Sequence, residues 1–370
     1  MESKKEENIK ILNYNVLAQS LLCDSLHMTE EEINKIDYLG EDYRFNKIIE
    51  KIEELTPDIC LFQEFEQNGK LKQLLKSKKF SYETIFKKRP GEHEEGCAIA
   101  FDKKKFRLEY YCALELRAEN QKNILYSKKK GSPNLFNKEN VAAIVVLESY
   151  KTSFYYLIIC SHLLFNNNRG DIKLGQIYQI LQSALLIKNY YKANKITTIL
   201  GADFNSTPKS AIYDYITNKE LNVEFLIKNY LSGQTNQEYI SSESLYDENS
   251  GWFKEIINTY PKFDEHKIIL ITKKEYKQYK NYNDFEEEKK LVLENKIVMK
   301  SFYKEKKGKE PKLTSASKTF QGTFDFLFYN SDYNIDIKKV GDIPENALEM
   351  PDKDNPSDHF PLFVEFSISD

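Results

Sequence analysis

The 370-residue chain is predicted to fold as a layered α/β sandwich. Eight short apolar runs have the length of buried strands, and two longer stretches repeat apolar residues at helical spacing. Polar side chains also gather at the ends of the apolar runs instead of scattering along them. Strands mixed with crossing helices indicate α/β layers and not an all-β barrel. With 41% hydrophobic and 30% charged residues the chain can bury a sizeable core. A sheet enzyme of this length can be one domain, here residues 1–370.

The elements follow in order. "IKILNYNVL" (9–17) is a strand carrying Asn13 and Asn15. "RFNKIIEKIEELTP" (44–57) is an amphipathic helix stopped at Thr56-Pro57. "DICLFQE" is a strand closed by Glu64, and Glu95 precedes the strand "GCAIAFD". "NVAAIVVLE" and "FYYLIICSH" follow, the second ending on His162. "GDIKLGQIYQILQSALLIKNYYKA" (170–193) is a long helix with Asp171 near its positive end. "ITTILGADF" runs into Asp203 and Asn205, which the period of two places on one side of the strand. Residues 233–310 are charge-rich with sparse apolar spacing, so they are expected to form a solvated helical or mobile insertion, with an RNA-contacting flap as the other reading. "TFDFLFYN" buries Asp325, and Asp358 and His359 lead into "FPLFVEF".

Composition narrows the function. A net charge of -3 gives no bulk attraction to nucleic acid, so phosphate binding has to be local or metal-assisted. Five cysteines show no paired or zinc-binding spacing, which suggests a reducing compartment. The N-terminal residues lack the apolar core of a secretory signal, and no run reaches the roughly 18 apolar residues of a membrane span. The expectation is a soluble, cytoplasmic protein, with the nucleus open as a second location and protein partners unknown.

Each polar strand end taken singly suits a turn or a cap. Together they suggest one polar crater at a sandwich edge. Carboxylates and amides without thiolates suit a hard cation such as Mg²⁺. Imidazoles can hold phosphate oxygens and an aspartate can orient and deprotonate water, the requirements of metal-assisted displacement at phosphorus. A buried carboxylate such as Asp325 needs a cation or donor. There is no glycine-rich phosphate loop and no recognisable serine or cysteine elbow.

The ordered motifs "NYNVLAQ", "DICLFQE", "SHL", "GADFNSTP", "TFDFLFY" and "SDHFPL" resemble those of the endonuclease/exonuclease/phosphatase superfamily across about residues 9–368. The resemblance implies a four-layer αββα sandwich, the DNase I-like fold, with the site at one edge of paired sheets. It implies Glu64 and Asp358 as Mg²⁺ ligands, with Mn²⁺ able to substitute, and Asn15 helping to hold a second cation. Asp203 would position the attacking water and Asn205 would bind phosphate. His359 would contact phosphate while Asp325 keeps its imidazole charged, and His162 would face the phosphate or leaving group. Our own addition is Glu95 as the residue that orients His162.

"ILNYNVLAQSLL" and "EGCAIAFDKKKF" look like the Ccr4, nocturnin and Angel branch, and "HLLFNNNRGDIKLGQ" is most similar to Angel-like proteins. This implies RNA 3′ ends as substrate, with removal of a 2′,3′-cyclic phosphate as the Angel-type activity. The alternatives are Ccr4-type 3′→5′ poly(A) shortening and a catalytically silent RNA-binding scaffold. Deadenylases carry a proline at the position of Asn167, whereas Phe320 matches their base-stacking aromatic. Phe320, Asn166 and Arg169 are the expected substrate contacts.

Overall fold

The computed structural model describes all residues except 1–4, 68–69, 76–79, 117–137, 192–194, 236, 246–247, 250–251, 254–291, 318–319 and 347–348. Twelve strands form two six-stranded sheets. The strands are β1 (Glu6–Asn15), β2 (Ile59–Glu66), β3 (Tyr82–Lys88), β4 (Glu95–Asp102), β5 (Phe106–Glu115), β6 (Val141–Ser149), β7 (Tyr155–His162), β8 (Ile196–Asp203), β9 (Lys300–Ser301), β10 (Asp325–Ser331), β11 (Asn334–Val340) and β12 (Leu362–Ser369). One sheet has the order β11-β12-β1-β2-β4-β3 and the other β9-β10-β8-β7-β6-β5.

Two strand pairs are parallel, β1 with β2 and β7 with β8. Each is joined by a crossover helix, α1 (Glu41–Leu55) and α2 (Gly170–Tyr190) respectively. Alternation along the strands sorts side chains into layers. Ile9 and Ile11 of β1 enter the core between the sheets. Leu12 and Tyr14 face the opposite way, against Phe45, Ile48 and Ile52 of α1. In the other sheet, Ile158 and Cys160 face the intersheet core, while Leu157 and Ile159 pack with Ile177 and Leu181 of α2. The result is the expected αββα order. Cys60, Cys97 and Cys160 are buried free thiols within these strands. No described helix is long and apolar enough to cross a membrane.

Both sheets approach closely where the site forms. A Cβ on Gly201 would stand 2.5 Å from Leu61 Cδ1 and 2.7 Å from Asn13 Oδ1. Only glycine leaves room for β8 to lie against β1 and β2 at that point. Asn13 and Gln63 meet there, with Gln63 Nε2 donating to Asn13 Oδ1 at 2.9 Å.

The ends of the 233–310 stretch differ from the expected solvated insertion. Trp252 and Phe253 are buried, as are Leu293, Ile297, Met299, Phe302 and Tyr303. Residues 292–294 pair with 220–222, and β9 extends the second sheet beside β10. The central part, 254–291, lies outside the described residues. Sparse apolar spacing concealed the contribution of the ends because a short edge strand and a single helical turn need only a few apolar anchors. Phe302 is such an anchor, its ring 4.4 Å from Tyr329 of β10 and 5.2 Å from Phe366 of β12. It therefore joins the two sheets. Phe302→Ala is expected to lower stability by about 3–5 kcal/mol, read from the urea midpoint. An unchanged midpoint would return this segment to the surface.

Candidate active site

The strand ends converge. β7 ends on His162 and β8 on Asp203, directly paired in register. β10 begins on Asp325, which opposes Asp203 from the other side. Asn15 ends β1, and Glu64 lies near the end of β2 in the adjoining sheet. Asp358 and His359 stand in the loop before β12.

Local backbone shape aims these side chains. The β2–β4 register shifts between Phe62 and Phe65, and Glu64 within that irregularity has φ +55°. Asn205 also takes a left-handed conformation, φ +46°. Non-glycine residues in this region are strained by about 1–3 kcal/mol and persist where surrounding contacts fix them. Here those contacts are visible. Glu64 Oε2 accepts from Ala18 N at 3.1 Å. Asn205 N donates to Asp203 Oδ1 at 2.9 Å, and its Nδ2 donates to Leu163 O at 3.1 Å.

One amide links the two sheets. Asn15 Nδ2 donates to Glu64 Oε1 at 3.0 Å and to Asp203 Oδ2 at 3.2 Å. Its Oδ1 accepts from Leu17 N at 3.1 Å. Asn15 thus presents hydrogens to the carboxylates, and its oxygen is already engaged. In this arrangement it bridges the acids.

His359 Nδ1 lies 2.8 Å from Asp325 Oδ2, and its Nε2 is 3.6 Å from Asp203 Oδ2. Burial pushes the imidazole pKa down, but Asp325, Asp203 and Asp358 outweigh it and hold the group well above its ordinary value. Burial raises the Asp325 carboxyl to about 6 against the pull of His359. At neutral pH the pair is therefore an imidazolium facing a carboxylate. His162 Nε2 lies 3.0 Å from Asn205 Nδ2 and 3.4 Å from Asp203 Oδ2. Nε2 thus faces both the Asn205 amide and the Asp203 carboxylate, while Nδ1 is buried without a hydrogen-bond partner.

Two acidic groupings can be considered for a metal ion. Asp203, Asp325 and His359 each place a ligand atom within 4.8 Å of the others. A charged imidazolium is a poor ligand, however, and its Nδ1 is committed to Asp325. Glu64 and Asp358 form the better pair. Asp358 Oδ2 accepts from Ser25 Oγ at 3.2 Å, while its buried Oδ1 has no hydrogen-bond partner and lies 4.0 Å from His359 Nε2. Burial raises the Asp358 pKa, and the charge of Glu64 adds to the rise. A buried carboxylate oxygen without a hydrogen bond, under the charge of a second carboxylate, suits a hard divalent cation.

The four other expected residues take partners outside the cluster. Glu95 is buried and gives Oε1 to Arg89 Nη1 at 2.6 Å. It makes no direct bond to His162, whose Nδ1 instead has Glu64 Oε1 at 4.0 Å. Glu95 Oε2 and His162 Nδ1 are both buried without a hydrogen-bond partner, and the charge of His162 acts on Glu95. Arg169 commits its guanidinium to Asp171, at 3.0 and 3.1 Å, and makes no direct contact with the cluster. Asn166 is exposed and accepts from Asn168 N at 3.0 Å. Phe320 is half-buried and stacked on Phe324, centroids 4.6 Å apart, with the exposed Phe165 edge-on at 6.3 Å.

Sequence reasoning missed several supports. Arg44 is wholly buried and donates to the carbonyls of Val16, Leu17 and Pro356, tying the loop after β1 to the loop carrying Asp358. Gln176 Oε1 accepts from Leu164 N at 3.0 Å, and its Nε2 donates to Asn140 Oδ1. Asn140 Nδ2 in turn donates to His162 O at 3.0 Å. An arginine on the apolar face of a helix was the available signal for the first. The glutamine gave none, because its partners are distant in sequence.

No family model matches the chain. It is 28% identical over 387 residues to "Carbon catabolite repressor protein 4 homolog 3" of Arabidopsis thaliana, covering 98% of this chain and 76% of that protein. It is 24% identical over 398 residues to "Protein angel homolog 2" of Danio rerio, covering 98% of this chain and 64% of that one. Among solved structures, ANGEL2, described as a 2′,3′-cyclic phosphatase and bound to adenosine-2′,3′-vanadate, superposes with TM-score 0.72 at 22% identity over 100% and 99% of the two chains. The human nocturnin catalytic domain with bound sulfate gives 0.55 at 19% identity, over 99% and 97%. The chain thus resembles Ccr4-homologue and Angel proteins, and its fold is that of the endonuclease/exonuclease/phosphatase superfamily, as the motifs implied.

The buried pair sets a pH dependence. Asp325 binds its proton more tightly when folded than unfolded, so its contribution to stability is full below about pH 4 and is lost as pH rises through about 6. His359 acts in the same direction, its contribution fading as pH climbs through its raised value. In buffer free of divalent cations, the stability difference between pH 4.5 and 7 should therefore shrink by ~2 kcal/mol in Asp325→Asn. Parallel denaturation curves for the two proteins would show that the pair does not titrate in this way.

Proposed function

We propose that this protein is a metal-dependent phosphoesterase acting on RNA 3′ ends, removing a 2′,3′-cyclic phosphate by two successive water attacks at phosphorus, the first opening the ring to a monoester and the second releasing phosphate. The observation that carries the proposal is the convergence of Asn15, Glu64, His162, Asp203, Asn205, Asp325, Asp358 and His359 on one edge of the sandwich. The likeness to ANGEL2, a 2′,3′-cyclic phosphatase, supports the reaction assigned.

Glu64 and Asp358 would hold the cation, Mg²⁺ being the best fit to an all-oxygen pair. Bound there, it would neutralise phosphate charge and polarise a phosphoryl oxygen. The protein's own groups do the rest. Asp203 accepts the proton of the attacking water, held for this by Asn205 N on one oxygen and Asn15 Nδ2 on the other. The His359 imidazolium, kept charged by Asp325, supplies a fixed donor to a phosphate oxygen. Asn205 and His162 take the remaining face, where the leaving oxygen departs.

The second reading is 3′→5′ shortening of poly(A), favoured by the similarity to a carbon catabolite repressor 4 homologue and by Phe320 as a stacking face. Stacking accepts any base, so it supports RNA without selecting adenine. Asn167 in place of the deadenylase proline removes one face of the base clamp, which weighs against the poly(A) reading.

Incubation of the protein with Mg²⁺ and two RNAs, one ending in cyclic phosphate and one in oligo(A), separates the readings. Loss of the terminal phosphate alone is expected; tail shortening would support the exonuclease, and inertness to both with retained RNA binding would make it a scaffold. Asp203→Asn should bind RNA normally and lose turnover by at least about 10²-fold. Glu64→Gln should raise the Mg²⁺ needed for half-maximal rate and weaken Mn²⁺ binding followed by electron paramagnetic resonance. Wild-type metal affinity in that variant would remove Glu64 from the ligand set.

A further inference from the structure

Lys173 lies in the first turn of α2 and is wholly buried. Two effects oppose an ammonium at that point. Burial strips its hydration, and the N-terminal turn of a helix presents the positive end of the helix dipole. Among the described residues no carboxylate pairs with it directly. Its Nζ donates to the backbone carbonyl of Asn205 and to Gln234 Oε1 at 3.2 Å. Burial lowers its pKa to about 7, with the charge of Asp203 acting against the fall.

The partner explains why such a group is kept. Asn205 has a left-handed backbone, and its N is held by Asp203 and its Nδ2 by Leu163 O and His162. Its carbonyl is the remaining backbone group of that turn, and Lys173 occupies it. A side chain that fixes this carbonyl fixes the turn. It thereby sets the direction of the Asn205 amide and of the N–H that holds Asp203.

We infer that Lys173 is a positioning residue for phosphoryl hydrolysis, fixing the left-handed turn at Asn205 so that Asn205 and Asp203 face the same phosphorus. The inference rests on the phosphoesterase reading of the site. It also gives the "RGDIKLGQ" stretch an interior role: Lys173 secures the loop after β8, and Gln176, one turn on, secures the chain after β7. Arg169 and Asp171 of the same stretch bind each other.

The test uses the full chain, an oligonucleotide ending in 2′,3′-cyclic phosphate, and orthovanadate as inhibitor. Lys173→Met should lower kcat on the order of 10²-fold, with little change in KM and a parallel loss of vanadate affinity, while the melting temperature is unchanged or raised. Lys173→Gln, which keeps a shorter donor, should lose on the order of tenfold and retain part of the vanadate affinity. Should the methionine variant fail to fold, the glutamine variant decides: a tenfold loss at an unchanged melting temperature supports the role, and wild-type kcat overturns it. Activity and melting temperature falling together in both variants would also overturn it, leaving Lys173 a structural residue. A wild-type protein inert toward the oligonucleotide would refute the proposed function instead, and is separable from either result.

Discussion

The architecture of the site depends on one side-chain amide. Asn15 belongs to one sheet and Asp203 to the other, and the Nδ2 of Asn15 binds Asp203 and Glu64 together. Without that donor, two carboxylates would face each other across the gap between sheets in a region of low water content. Like charges so placed raise each other's pKa and push the sheets apart. The amide turns the repulsion into a bridge. Its geometry is possible because Gly201 lets β8 approach β1 and β2, and because Ser357 Oγ holds the carbonyl of Asn15 at 2.7 Å.

The surrounding structure is organised to keep that arrangement rigid. Each of the two parallel pairs feeds its crossover helix on the outside and delivers polar residues at one edge on the inside. α1 contributes Arg44 to the loops on one side of the crater, and α2 contributes Lys173 and Gln176 to the loops on the other. Two buried cations thus serve backbone carbonyls and not carboxylates. That choice leaves the acids free for chemistry, at the expense of placing hydrophilic groups in the core.

Much of this was legible in the sequence, and the reasons are specific. The apolar runs marked the strands, and helical spacing marked α1 and α2, because burial imposes these periods directly. Asp203, Asp325 and His359 could be found because a polar residue at the end of a buried run stands out against its context. The bulge that turns Glu64 was not legible, since a register shift arises from pairing between β2 and β4 and leaves no local signature. Nor was the buried part of 292–307, where Phe302 and Tyr303 sit in a stretch dominated by lysine and glutamate. Arg169 was expected to contact substrate, but Asp171, two residues away, takes both arms of its guanidinium. The pairing of Glu95 with Arg89 escaped notice for the same reason: charge in a sequence does not show which partner it will take.

The electrostatics of the crater lead to a further consequence. Glu64, Asp203, Asp325 and Asp358 surround a space in which His359 is an imidazole held charged by its neighbours. The ammonium of Lys173 lies beneath and is spent on a carbonyl, as is the guanidinium of Arg44. A phosphate diester entering such a site meets an excess of negative charge, and the chain as a whole carries -3 and offers no compensating field. Interactions at this depth are screened far less than at the surface. In the proposed function, a cation between Glu64 and Asp358 would therefore act before any bond is made or broken, by making the site acceptable to an anion at all. On this view metal affinity and substrate affinity are one linked quantity, set by the same buried carboxylates.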